Sequence, residues 1–294
     1  MINFRYHVVS IIGIFIALAV GVVLGAGPLQ RSINAGMNPS SSQAASDPVL
    51  SAQAEAEAAG LKALASSTLT GSLTGTSVAL VVLPGASDDD VSAIRSTLTD
   101  AGASVVGRVT LTDNWQSTSM SQYRTTLATT LASHLQSGGA KTASADGVVG
   151  YSIVQVLTST GAETDLLRQI LTDKSTPLMT IDEDPAGKAT TLVAVGARAQ
   201  TTTSTQASVA ASSDAWIGLG LAVGSTSGVV VGDASSREAM ISQIRTSGTA
   251  VTTVDSVGTT LASVDTALAL STASSGARAF GVGNGAQSVI PSSK

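Results

Sequence analysis

Cysteine is absent from the 294 residues, which excludes disulfides, thiolate nucleophiles and cysteine metal sites together. Imidazole is scarce as well, since His7 and His134 are the whole supply. A site for a soft metal needs thiolate, thioether or imidazole gathered within a few residues or on adjoining elements. Here the five methionines are scattered. Charged residues make up 12% of the chain, about half the share usual in a globular protein, and Ser, Thr, Ala and Gly take their place. A net charge of −5 leaves no basic footprint for nucleic acid. A Walker loop and a G-x-S-x-G elbow are missing, and His134 has no nucleophile or orienting acid beside it in sequence. The expectation is a non-enzymatic protein without an evident cofactor.

What the chain does have is one long apolar run at residues 8–27, without charge and with Ser10 as its only polar side chain. As a helix rising about 1.5 Å per residue it would cover roughly 30 Å, the depth of a bilayer's hydrocarbon core. A secretory signal peptide is the rival reading, because Arg5 precedes the run. The run is longer than the usual signal core, and Pro28 directly follows the small-x-small site Gly25-Ala26-Gly27, so an uncut anchor is the better reading. Residues 1–7 are then cytoplasmic and the bulk lies outside the plasma (inner) membrane. Gly13, Ala17, Gly21 and Gly25 recur every four residues on one helical face. Such a face allows a second helix to approach closely, which predicts a homodimer within the lipid bilayer.

Residues 28–75 read as a linker and a helical stalk. Asp47-Pro48 is a helix-start signal, and Leu50, Ala54, Ala58, Leu61 and Leu64 follow near helical spacing up to Ser66, a seam through which two copies could also pair. From residue 76 to 275, short β-branched runs alternate with helical ones. Residues 78–83 and 103–111 read as strands, 148–157 as a buried helix or strand, and 177–181 and 191–195 as further strands. Wholly apolar strands separated by helices indicate an α/β domain, a mainly parallel sheet flanked by helices in Rossmann/flavodoxin-like layers. Residues 276–294 read as a Gly/Ser-rich tail.

The densest polar group is Asp182-Glu183-Asp184, placed directly after the strand 177–181, and Asp233 similarly follows a strand at 229–231. Ligands bind at the carboxyl ends of strands in open α/β sheets, so these four acids are the candidates to hold a hard cation or a polar ligand. Capping helices and solvating turns is the commoner use of such residues. Gly281-Val-Gly283-Asn-Gly285-Ala286 has the form of a dinucleotide loop, but no βαβ unit follows it and it reads as a flexible turn. Trp115, Tyr123, Tyr151 and Trp216 read as core rather than as a docking surface.

The opening Met1 to Ser10 with its apolar run, then Val81 to Gly85, Ala101 to Ala103 and Leu111 to Trp115, resembles the mycobacterial copper transport protein B (MctB) family of actinobacteria. The resemblance implies a single-pass envelope protein linked to copper homeostasis, with copper as the metal it handles. The alternative it implies is a regulator of daughter-cell separation that works with a membrane partner or a peptidoglycan hydrolase. Ala279-Phe280-Gly281 departs from the His-Tyr-Gly common in that family, which removes one histidine from any metal site.

Overall fold

The computed structural model describes residues 48–199, 210–273 and 276–291. The expected anchor at 8–27, with Gly13, Ala17, Gly21 and Gly25, lies outside the described residues, as does His7. Among the described residues no helix is long and apolar enough to cross a membrane. The chain divides into two compact units, residues 1–54 and 55–294. Of the first, the described part is helical, with Val49 and Leu50 exposed.

Helix α1 (Pro48–Leu69) outlasts the expected end at Ser66, while the start signal at Asp47 lies outside the described residues. Its last turns bury Ala65 and Leu69, whereas Leu64 on the predicted seam is 73% exposed.

The second unit is a mixed α/β fold around a seven-stranded sheet. The strands are β1 (Ser77–Val82), β2 (Ser104–Leu111), β3 (Met179–Glu183), β4 (Thr191–Val195), β5 (Val229–Val231), β6 (Thr252–Val254) and β7 (Ala279–Phe280). Their order is β3-β2-β1-β4-β5-β6-β7. Every pairing is parallel except β2 with β3. The sheet winds outward from β1 to one side and then, from β4, to the other, as in doubly wound folds. The helices are α2 (Asp88–Asp100), α3 (Asp113–Gln116), α4 (Ser121–Ala132), α5 (Ala145–Thr158), α6 (Ala162–Leu171), α7 (Ser213–Gly224), α8 (Met240–Thr246) and α9 (Thr260–Thr272).

Both sheet faces are covered, and the two-residue period of the strands divides the core. Val78, Leu80 and Val82 of β1 join Val193 and Val195 of β4 in a core with α1, α2 and α9. Ala79 and Val81 join Leu192 and Ala194 in a second core with α4, α5, α7 and α8. The ambiguous run at 148–157 is the centre of α5, whose residues from Gly147 to Leu157 are all buried. A helix buried on every side carries no amphipathic stripe, which is why its period could not be read.

Two expectations need correction. The strand expected at 177–181 runs from Met179 to Glu183, so Asp182 and Glu183 lie inside it, and it is antiparallel to β2. Its carboxyl end therefore lies at the edge opposite the carboxyl ends of the other strands. The expected tail from residue 276 instead supplies β7 and a loop that folds back on β6. Backbone hydrogen bonds from the Thr253 and Asp255 N–H groups to the carbonyls of Arg278 and Phe280 hold β7 there, which outweighs the weak strand preference of its glycine-rich surroundings.

Candidate functional site

The carboxyl ends of β5, β6 and β7 converge on a buried carboxylate that the sequence reading did not single out. Asp255 directly follows β6 and is 1% exposed. Its Oδ1 accepts from the Val282 N–H at 2.9 Å and the Ser256 hydroxyl at 2.7 Å. Its Oδ2 accepts from the Gly283 N–H at 2.9 Å and from Arg245 Nη1 at 3.0 Å. Those four donors occupy a carboxylate's four lone-pair positions. Burial pushes the Asp255 carboxyl up, but donation from Ser256, Val282, Gly283 and Arg245 outweighs it, and the net displacement is below the usual range.

Arg245, on α8, is held as firmly. It donates to Thr253 Oγ1 and to the carbonyls of Asn284 and Phe280 at 2.8–2.9 Å. The glycine-rich run that matches a dinucleotide loop thus wraps the protein's own Asp255. At Gly281 the backbone has φ +121°, and a Cβ there would stand 2.1 Å from Asp255 Oδ1. Above this knot lies a crevice of about 600 Å³, lined by Asp233, Ser235, Ser256 and Asn284 among others. Asp233 accepts from the Ser235 N–H at 2.8 Å and its hydroxyl at 3.0 Å, a turn-capping arrangement.

At the switch point between β1 and β4 the chain also supplies its own charges. Asp88, Asp89 and Asp90 open α2, where a doubly wound fold would receive a phosphate. Asp90 is buried and binds Arg198 through both oxygens at 2.6 and 2.7 Å. Hydrogen bonding to Asp90 raises the Arg198 guanidinium above its usual value. A groove of about 390 Å³ runs alongside, between α1, α2 and α9, with Lys62, Ala65, Ile94, Arg198 and Val264 in its walls.

The four acids singled out from sequence do not meet. Asp182 accepts from the Thr110 hydroxyl at 2.6 Å and faces Arg108 Nε at 3.4 Å. Glu183 pairs with Arg95. Asp184 binds Arg168 at 2.5 and 3.1 Å, and that bond together with the Ala186 N–H holds its carboxyl below the usual range. Asp233 lies at the opposite edge, past β5. Among the described residues no group of three or more His, Asp or Glu is arranged to hold a metal ion.

The soft donors are equally dispersed. His134 Nδ1 faces Glu163 Oε2 at 2.5 Å. Met179 is buried on β3, while Met240 is buried against Gly196 and Gly232, beyond β2 and β1. At about 4.8 Å per strand, that separation is roughly 14 Å or more. Trp115 and Tyr151 are core, as expected, and Tyr123 and Trp216 are partly buried against it.

The sequence reading takes Asp90 only as an acid at a helix start, and the pairings Asp255–Arg245 and Asp90–Arg198 escaped it because no local pattern joins the partners. The rule that selected Asp233, an acid just after a strand, applies equally to Asp255. No curated protein matches the chain. The family model described as "Copper transport outer membrane protein, MctB" matches residues 1–291, so the chain belongs to that copper-transport family of envelope proteins.

Proposed function

We propose that the protein is a single-pass envelope scaffold in copper homeostasis, anchored in the plasma membrane by residues 8–27, paired with a second copy and without enzymatic activity of its own. Membership of the copper-transport family supports the process. The observation that carries the scaffold reading is the state of the sheet's carboxyl edge. There the buried carboxylates Asp255 and Asp90 are spent on Arg245 and Arg198, and no soft-donor cluster replaces them among the described residues. Ser256 sits at φ +62° in a strand-to-helix turn, but its hydroxyl donates to Asp255, and His134 is engaged with Glu163. The Asp255 carboxylate that accepts this hydroxyl is paired with Arg245 and displaced downward, which makes it a weak base for a serine nucleophile.

One spanning helix cannot enclose a pore, so copper would cross only through an assembly or a partner. Leu50 and Leu64, 63% and 73% exposed on α1, support pairing through the stalk. A deletion strain scored for copper tolerance and septation tests the reading. The expected outcome is lowered copper tolerance, restored by the wild-type chain but not by Gly21→Ile, which would separate the anchors. Normal copper tolerance with chained cells would overturn it in favour of a cell-separation regulator acting with a peptidoglycan hydrolase.

A further inference from the structure

The buried charges at the β6 end of the sheet do not balance. Asp255 and Arg245 neutralise each other, but a second carboxylate, Asp265 on α9, is fully buried, and neither of its oxygens has a hydrogen-bond partner. Arg245 is committed to Asp255, Thr253, Phe280 and Asn284. An ionised Asp265 would therefore be an uncompensated charge in the interior, with another carboxylate nearby.

The elements packed on α9 supply no relief. Helix α2 brings Asp89, Asp90 and Asp100 to the groove it shares with α9, and Arg198 there is tied to Asp90. Strand β5 brings only valines, and β6 brings Thr252, Thr253 and Val254 with Asp255 directly after it. Lys62 of α1 lines the groove without reaching Asp265.

From a buried carboxylate without a partner beside an ion pair that is already complete, we infer that Asp265 is a proton-operated latch: protonated, it lets α9 sit on the sheet, and ionised, it loosens α9 and the turn before it. That turn connects the two cavities of this edge. Ser256 and Val257 line the crevice, and Gly258 and Thr259 line the groove. Release of α9 would open both walls together.

Burial, reinforced by the charge of Asp255, pushes the Asp265 carboxyl up to about 7. Once α9 is released, the same carboxyl would titrate near the ordinary value of about 4. The closed state thus holds the proton more tightly, so its advantage is complete below about pH 4 and is lost as pH rises through about 7. Opening becomes about tenfold easier per pH unit across that window and then levels off.

Amide hydrogen exchange across α9 in the full-length, detergent-solubilised chain, corrected for intrinsic rates, tests the latch. Wild-type protection is expected to fall about tenfold per pH unit between about pH 5 and 7 and to level off above, while Asp265→Asn stays protected throughout. A flat wild-type profile, or the same slope in Asp265→Asn, overturns the proposal. Should that variant not fold, infrared titration of the wild type decides. A protonated-carboxyl band lost with a midpoint near pH 7 supports the latch, and no such band above about pH 5.5 refutes it.

Discussion

Replacing Gly281 by alanine should be among the most damaging single changes in the domain, and the structure supplies its own control. Gly161 has φ +119°, almost the value at Gly281, but a Cβ there would meet nothing within 4 Å. Alanine at Gly161 therefore carries only the backbone penalty, about 1–3 kcal/mol. At Gly281 the same penalty is joined by a Cβ placed 2.1 Å from a carboxylate that cannot retreat, because Asp255 is held by four donors. Moving it would break at least two charge-assisted hydrogen bonds, each worth about 1.5–3 kcal/mol. The difference between the two variants should thus be at least about 3 kcal/mol, a large fraction of the 5–15 kcal/mol typical of a domain. Urea unfolding followed by the fluorescence of the buried Trp115 would measure it. Equal losses at the two positions would refute the claim that the Gly281 loop is built around Asp255.

Arg245→Met should cost about 3–5 kcal/mol by stranding the buried Asp255, whereas Arg168→Met, whose partner Asp184 is half exposed, should cost under about 1 kcal/mol; paired urea titrations check the contrast. Asp265→Asn should stabilise the protein at pH 8 by up to about 4 kcal/mol, from a displacement of about three pH units, and leave it unchanged near pH 4. Asp184 and Asp255, displaced downward, act in the opposite sense and stabilise the fold above the carboxylate range, so the Asp265 effect is read from the variant and not from the wild-type profile alone. Alanine at Asp182, Glu183 and Asp184 together should leave calorimetric titrations with calcium and copper unchanged, since each acid already faces an arginine. Loss of measurable binding in that triple variant would restore the acidic run as a metal site.

The sheet's centre was legible because Val78 to Val82 and Leu192 to Val195 are apolar on both faces, the mark of a strand covered by helices. Strand direction was not legible, since the residues of β3 read the same whether they pair parallel or antiparallel with β2. That single fact moved Asp182 and Glu183 away from the ligand-binding edge. The three-residue β5 and β6 lie where the β-branched runs at 229–231 and 251–254 place them, whereas the two-residue β7 carries too little period to detect and is held mainly by its neighbours. The Asp255 knot draws on residues 245, 255 and 280–284, which no local window contains. A lone acid in an otherwise apolar helix was the available signal for Asp265.

The place of β1 in the sheet has a consequence for how the protein is made. Ser77 and Thr190 are hydrogen-bonded across β1 and β4 although 113 residues separate them. At translation speeds of about 5–20 residues per second, the bare flank of β1 waits on the order of ten seconds for its neighbour. A nascent chain in that interval presents a row of unsatisfied backbone groups beside valine and leucine side chains, an adhesive surface for other unfinished chains. The half-sheet β1–β2 is therefore where a holding chaperone would be most needed during synthesis.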